Sequence, residues 1–396
     1  MSRDYAYYRD RLRGLPYPYA VVDMELLRTN AHRVLKRSGG KLMRLASKSI
    51  RCPELLRYLL DFDPRFRGIM TYHGREVLYL LEQGFDDLLM GYPIVEPALL
   101  KAIAAWVARG RTVRLMADSP EHLLLIDAAG REAGVPLQVC LEIDLSDDYP
   151  GLRFGVWRSS IYDIPTLERV ATRLKRLDYV RLDGILGYEA QVAGVADRLP
   201  GSWLQNTVVR YLKQRAIPRA AARRCQALEY LNANGFTVKL VNGGGTGSLE
   251  STARDPSVTE LTAGSGFVGG TLFDGYRDFD VAPALFYGIP VVRRPAPGVY
   301  TCHGGGYTAS GAVGSDKAPS VYLPAGGRLD KNEGAGEVQT PVRFRPDPDL
   351  TLGDPVLMRY AKAGELLDRF DRLYLLDGEG PLRDVPTYRA VLFDRE

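Results

Sequence analysis

From about residue 19 to residue 275, short apolar runs alternate with longer amphipathic stretches. This is the pattern of βα units around a parallel sheet, whose strands are buried on both faces. Strands are expected at YAVVD (19–23), LMRLAS (42–47), GIMTY (68–72), DLLMGY (87–92), VRLMAD (113–118), LQVCLEID (137–144), LDGILGY (182–188), VKLVNGG (238–244) and TELTAG (259–264). Helical periodicity fills most of the gaps. Pro53 and Pro120 sit where a first helical turn tolerates a missing N–H, and Gly84, Gly110, Gly134 and Gly235 fall just past periodic segments, where a left-handed cap is wanted. Eight or nine such units with no charge block or Pro-rich linker between them favour a closed α/β barrel over an open doubly wound sheet.

After about residue 280 the texture changes to short Val/Tyr/Leu-alternating runs broken by Gly and Pro: IPVVRRP (289–295), VYTCHGGGY (299–307), SVYLPAG (320–326), EVQTPVRF (337–344), DPVLMRY (354–360), DRLYLLDG (371–378) and YRAVLF (388–393). These predict a second, mostly antiparallel β domain. The expected division is a barrel over 19–278 and a β domain over 279–396, joined by the aromatic arm 1–18.

Composition narrows the class. The chain has 396 residues, 45% hydrophobic and 25% charged, with a net charge of +4, which excludes a disordered or collagen-like chain. The basic residues are interleaved with acids rather than clustered, which argues against a nucleic-acid surface. Cys52, Cys140, Cys225 and Cys302 form no close pair, so neither a disulfide framework nor a CxxC zinc site is expected, and a reducing cytoplasmic setting fits. The N-terminal segment lacks the apolar core of a signal peptide, and no run approaches a membrane span.

Two features carry chemistry. Lys48 ends the second predicted strand, and a lysine there points from a carboxyl end into a barrel mouth, where barrel active sites lie. Its bland alternative is a solvated strand-end lysine. VNGGGTGS (241–248) follows the eighth strand and TAGSGFVGG (262–270) the ninth. Successive glycines let backbone N–H groups converge on an anion, and adjacent Gly-rich corners after the last barrel strands are a common phosphate site. Each alone could be only a turn. Gly264, Gly266 and Gly269 match GxGxxG, but the preceding strand is short and Asp274-Gly275 follows too soon for a dinucleotide-binding helix. An amine in the mouth beside a phosphate cradle suits pyridoxal 5'-phosphate.

At these residues the chain resembles the fold-type III pyridoxal-phosphate enzymes, in particular the D-threonine aldolase and D-serine dehydratase branch. Members carry a segment like R-P-H-x-K-T-H-K-C-P, matched here by Arg44-Leu45-Ala46-Ser47-Lys48-Ser49-Ile50-Arg51-Cys52-Pro53. The resemblance makes Lys48 the cofactor-bonding lysine, while Ala46 and Ile50 stand where members have histidines. GLRFG (151–155) resembles the Arg-x-Gly segment and assigns Arg153 to the cofactor's phenolic oxygen. GILGYEAQ (184–191) brings Tyr188 to the pyridine ring, and GGGTG and AGSG bring Gly244, Gly245, Thr246, Gly264 and Ser265 to the phosphate.

The resemblance implies an alanine-racemase-like (β/α)8 barrel plus a C-terminal, mostly antiparallel β domain. It implies a homodimer in which each β domain helps close the partner's site, and lyase activity on β-hydroxy D-amino acids by retro-aldol cleavage or dehydration with deamination. His303, beside three glycines, is the leading acid/base histidine. Asp316 and Glu337 occupy turn-rich family segments, Asp316 as a further catalytic candidate, and either could be only a turn former. His32 and His122 read as solvated, and His73 as facing the mouth or capping the next helix.

Members hold a divalent ion through His-x-Asp or His-x-Cys after a Gly-Asp turn. The matching stretch, Gly353-Asp354 to Lys362, offers Tyr360 and Lys362, whose protonated forms are poor ligands, so no family-type metal is expected. Lys362 could replace the ion's charge or be merely solvated. The competing readings are a racemase, using Tyr300, Tyr307 or Tyr322 as a second base, and a non-catalytic pyridoxal-phosphate carrier.

Overall fold

The computed structural model describes residues 3–312, 314–362, 364–389 and 392. They divide into a barrel unit (32–48 and 53–264) and a sheet unit (1–31, 49–52 and 265–396). The strands in chain order begin with β1 (Tyr19–Asp23), β2 (Leu42–Ala46), β3 (Phe66–Thr71), β4 (Leu88–Met90), β5 (Val113–Ala117) and β6 (Leu137–Glu142). A small hairpin, β7 (Asp147–Tyr149) and β8 (Leu152–Phe154), precedes β9 (Val180–Gly187), β10 (Leu240–Gly243) and β11 (Glu260–Ala263).

Eight of these close the barrel in the order β10-β11-β2-β3-β4-β5-β6-β9, all parallel. The apolar residues the pattern assigned to strands fill its interior. Leu89, Met116, Cys140, Leu186 and Leu240 pack together, with Met70 and Tyr188 against them.

Towards the amino ends of the strands the filling turns ionic. Arg44, 2% exposed, donates to both carboxylate oxygens of Glu260 at 2.5 and 3.1 Å and to the Asp87 carbonyl at 2.6 Å. Asp87 accepts from Arg44 at 3.0 Å and from Arg114 at 2.5 Å, and Arg114 reaches Asp183 at 2.5 Å. Burial opposes the charge of Asp87, but Arg44 and Arg114 outweigh it and hold its carboxyl below the usual range. Gly68 makes room for this network. Its φ is +71°, and a Cβ there would lie 2.3 Å from Arg44 Nη1 and 2.6 Å from the Asp87 carbonyl oxygen.

In the sheet unit the remaining strands are β12 (Leu285–Ala296), β13 (Val299–His303), β14 (Ser320–Leu323), β15 (Gly327–Leu329), β16 (Gln339–Phe344), β17 (Pro355–Arg359), β18 (Arg372–Leu376) and β19 (Arg383–Pro386). The main path runs β15-β16-β13-β12-β1-β18-β19, and β17 pairs with both β12 and β14. Among the described residues of this unit, only the β1–β18 pairing is parallel. The expected strand over 388–393 and the expected domain end at 396 reach residues outside those described.

One expectation is corrected: residues 19–23 are not the first barrel strand. β1 pairs antiparallel with β12 and parallel with β18, so the barrel begins at Leu42. All five residues of β1 are buried, which a central strand of either sheet satisfies, and apolar content alone could not choose its partners. Tertiary packing makes the choice. Tyr8 and Leu12, from the helix Tyr5–Arg11 and its end, pack with Tyr19, Val21, Phe286, Leu357 and Leu376. The Tyr8 hydroxyl donates to the buried Asp23 at 2.9 Å, and Asp23 accepts the backbone N–H groups of Glu25 and Leu26 at 3.0 and 3.1 Å. Across the strand pair the Tyr19 ring covers Gly288, where a Cβ would come within 2.3 Å of it.

Gly68→Ala should destabilise the protein by about 2 kcal/mol or more, because the new methyl needs both a left-handed backbone and the space of a buried, paired arginine. Urea unfolding measures it, and a change within about 0.5 kcal/mol would show that Arg44 can move aside at little cost.

Candidate active site at the barrel mouth

β2 ends at Ala46 and passes into a short 3-10 turn, Ser47–Ser49, which carries Lys48 at the carboxyl rim of the barrel. The Ser47 hydroxyl anchors the turn by donating to the Met70 carbonyl at 2.9 Å. Lys48 is exposed, and its Nζ lies 3.5 Å from the Tyr92 hydroxyl. Tyr92 follows β4 in a Gly91-Tyr92-Pro93 corner. Beside it lies the Arg158 guanidinium, 4.8 Å from the centre of the Tyr92 ring and 5.4 Å from that of Tyr188. Arg158 is ion-paired with Glu142 at the end of β6 and donates to the Gly91 carbonyl at 3.2 Å. A planar cation against two aromatic rings is held by geometry as well as charge.

These charges act on the phenols. Burial raises the Tyr92 pKa, but Lys48 and Arg158 outweigh it and hold the phenol below its ordinary value. Tyr188 goes the other way: its burial dominates over Arg158 and pushes it up to about 12, so it stays a neutral hydroxyl. Burial also raises the Glu142 carboxyl, against the pull of Arg158.

The second feature is the loop after β10. Gly244 has φ +83°, the left-handed region glycine tolerates, and a Cβ on Gly245 would lie 2.9 Å from Tyr188 Cε2 and 3.0 Å from Ala193 Cβ. The loop therefore has bare backbone where it meets the Tyr188 ring. It is held from behind by Arg224, a 2% exposed residue of the helix Trp203–Ala233. Arg224 donates to the Gly187 carbonyl and to Asp255, both at 3.0 Å, and pairs with Glu189. Glu189 accepts the Ser248 hydroxyl at 2.8 Å, and Ser248 Oγ accepts the Gly245 N–H at 3.1 Å. Thr246 is buried, with its carbonyl accepting from Arg37 at 2.6 Å.

Because β10, β11 and β2 are successive strands of the barrel, Gly244, Gly245, Thr246, Gly264 and Lys48 leave one stretch of the same rim. Tyr188 follows β9 on the far side of β10.

Arg153, in β8, pairs with Asp148 and Asp144 at 3.1 Å and stacks 3.9 Å from the centre of the exposed Trp157 ring. In the sheet unit, Ser265 and Ser49 share a 3.0 Å hydroxyl contact. His303 is exposed at the end of β13, and Asp316 is exposed and paired with Lys317, which lowers its pKa. Lys362 lines a cavity of about 430 Å³ together with Tyr307, Ser310, Tyr360, Glu365 and Arg369. His73 takes the bland alternative, its Nδ1 capping the next helix by accepting the Arg75 N–H at 3.1 Å. Among the described residues no three His, Cys, Asp or Glu side chains gather to share a metal ion. Tyr92, Arg158, Glu142 and Arg224 are absent from the sequence-predicted site. The only hint was an aromatic residue at the carboxyl end of a predicted barrel strand.

No family model matches the chain. Over 260 residues it is 26% identical to a D-threonine aldolase of Arthrobacter sp, covering 64% of this chain and 62% of that protein. It is 23% identical over 257 residues to a 3-hydroxy-D-aspartate aldolase of Paracoccus denitrificans (strain Pd 1222), covering 63% and 59%. It is 28% identical over 261 residues to a D-threo-3-hydroxyaspartate dehydratase of Delftia sp. (strain HT23), covering 65% and 62%. The matched stretch thus spans less than two thirds of each of these relatives. In structure the chain is similar to a D-threonine aldolase from Filomicrobium marinum (TM-score 0.81, 17% identity, 96% of this chain and 97% of that one). It is also similar to an alanine racemase of Clostridium difficile 630 (TM-score 0.64, 14% identity, 95% and 99%). The fold is therefore alanine-racemase-like, a closed parallel barrel with a separate β sheet.

Arg224→Met should cost about 3–5 kcal/mol, because it strands Glu189 and Asp255 in a buried site. Denaturant unfolding would reveal this, and a loss under about 1 kcal/mol would mean the loop is supported by other contacts.

Proposed function

We propose that this chain is a pyridoxal-phosphate-dependent lyase acting on β-hydroxy D-amino acids. The observation that carries the reading is Lys48 on the same barrel rim, within three successive strands, as two Gly-rich corners. The activities named for the three sequence relatives, two aldolases and a dehydratase on hydroxylated D-amino acids, support the substrate class.

The residues fit such a cofactor on their own chemistry. A Cβ-free loop pressed against Tyr188 offers backbone to a phosphate, with Thr246 beside it. Tyr188 offers a neutral ring and hydroxyl, and Lys48 an amine able to bond an aldehyde. We assign Gly244, Gly245, Thr246, Gly264 and Ser265 to the phosphate, Tyr188 to the ring and Lys48 to the covalent link. Arg153, clamped by Asp144 and Asp148, would act on the ring's oxygen from a fixed hairpin. When bound, the cofactor supplies an electron sink for a bond broken at the substrate's α-carbon.

The chain's part is to choose that bond and move protons. Lys48, as an amine, removes the α-proton, and a donor near the β-carbon protonates the departing hydroxyl for dehydration. For aldol cleavage a base instead takes the β-hydroxyl proton, and Lys48 returns a proton to the α-carbon. On the resemblance, we assign His303, Asp316 and Lys362 to the substrate side of this chemistry, with the Lys362 ammonium acting on a β-hydroxyl or carboxylate in place of a metal ion. We also propose a homodimer in a cytoplasmic setting. A racemase is the second reading, favoured only by the likeness to alanine racemase.

Purified protein given pyridoxal phosphate should absorb in the visible range, and borohydride reduction followed by peptide mapping should label Lys48. A label on another lysine would overturn the assignment. On a panel of β-hydroxy D-amino acids the expected products are glycine with an aldehyde, or a 2-oxo acid with ammonia, whereas accumulation of the opposite enantiomer alone would favour the racemase. Thr246→Ala and Ser265→Ala should weaken cofactor retention on dialysis by about 1.5–3 kcal/mol each. Activity should survive exhaustive chelation, and Lys362→Ala should reduce turnover strongly. A stoichiometric divalent ion required for turnover, or a Lys362→Ala variant as active as the parent, would defeat the charge-substitution idea.

A further inference from the structure

The pair formed by Lys48 and Tyr92 has no counterpart in the motif that identified Lys48. We infer that Tyr92 is the proton partner of Lys48, taking one proton from its ammonium and handing it back during each cycle; this rests on the cofactor reading above.

The geometry is specific. The Lys48 amine and the Tyr92 hydroxyl lie 3.5 Å apart. Three titratable or charged side chains face the Tyr92 phenol, and a fourth acts through one of them, each from its own segment. Lys48 comes from the turn after β2, Arg158 from the loop after β8, Tyr188 from the end of β9, and Glu142, through its ion pair with Arg158, from the end of β6. The two cations beside it favour the phenolate, and Glu142 fixes Arg158 in place. The lowered phenol pKa agrees with that arrangement.

An ammonium has no lone pair, so Lys48 can neither bond an aldehyde nor remove a proton from carbon until it loses H⁺. Transfer of that proton from Nζ to the phenolate oxygen leaves a neutral amine and a neutral phenol. One N–H bond breaks, one O–H bond forms, and nothing is oxidised or reduced. Members of the resembled family carry histidines two residues either side of this lysine. Here Ala46 and Ile50 cannot carry protons, and Tyr92 is a titratable group at the amine.

The test uses the full chain stripped of carbonyl cofactor, as the parent and as Tyr92→Phe, Lys48→Met and Arg158→Gln variants. An ultraviolet titration should show one tyrosine ionising below the ordinary range in the parent. That step should vanish in Tyr92→Phe and move to higher pH in Lys48→Met and Arg158→Gln. This readout needs no cofactor. In the second arm, pyridoxal phosphate is added and its capture followed in the visible range across pH. At neutral pH capture by Tyr92→Phe should be slower by roughly tenfold or more, and its pH profile should shift to the alkaline side. The same tyrosinate titration in Tyr92→Phe and the parent would overturn the inference, as would coincident capture profiles. A parent that captures no pyridoxal phosphate at Lys48 would instead defeat the cofactor reading, with the ultraviolet titration still reporting on the pair.

Discussion

The barrel depends on Arg44. Eight parallel strands close only if something fills the space inside their amino ends, and this chain fills it with a guanidinium whose donors are shared between Glu260 on β11 and Asp87 ahead of β4. Arg114 and Asp183 continue the chain of charges to β5 and β9. Such a network adds little net stability over an apolar filling, because desolvation offsets much of the attraction. What it adds is register. A slip of β2 against β11 by one residue would take Arg44 off Glu260 and turn its side chain to the outside, leaving buried carboxylates without their cation. The strand ends above are aligned because the strand beginnings below are pinned.

That alignment is inherited by the mouth. Between the ionic layer and the rim lies one apolar layer, in which Leu186, Leu240 and Cys140 support the underside of Tyr188. Above it the polar groups are held in pairs, Arg158 by Glu142 and the loop after β10 by Arg224, Glu189 and Ser248. A second buried arginine behind a glycine loop is a way to fix backbone that has no side chains of its own to pack. The same residue adds to the crowding nearby, since a Cβ at Gly187 or Gly243 would come 3.2 Å from Arg224 atoms, beside Leu145 at 2.8 Å and Thr252 at 3.1 Å respectively. Glycine in this corner thus answers two demands, bare backbone toward the mouth and close approach of the arginine behind it.

Much of this was legible in the sequence. The eight barrel strands follow from apolar runs punctuated by Gly and Pro, and Lys48 and the loop glycines follow from their positions at strand ends. β1 was misplaced because YAVVD is buried along its whole length, and uniform burial carries no information about partners. Arg158 and Glu142 were illegible for a different reason. They are separated by 16 residues and meet only because the β7–β8 hairpin folds between them, an excursion whose strands are three residues each and too short to show periodicity. His73 illustrates the converse, a residue whose two readings, facing the mouth or capping the next helix, were both legible and which serves as a helix cap through its own ring nitrogen.

The pairing of β1 also sets an order of assembly. Its two neighbours, β12 and β18, begin at residues 285 and 372, while every strand of the barrel has been made by residue 263. A chain emerging from the ribosome therefore holds all the strands of a closed barrel before β1 has any neighbour to pair with. Until then a five-residue apolar strand waits with both edges open, the condition in which nascent chains stick to one another or recruit chaperones. The arm of residues ahead of it, with Tyr8 hydrogen-bonded to Asp23, provides a local cover made of the same early segment. The whole barrel lies in the sequence between β1 and its partners and is thus also a delay line, during which the short helix Tyr5–Arg11 is the cover closest at hand.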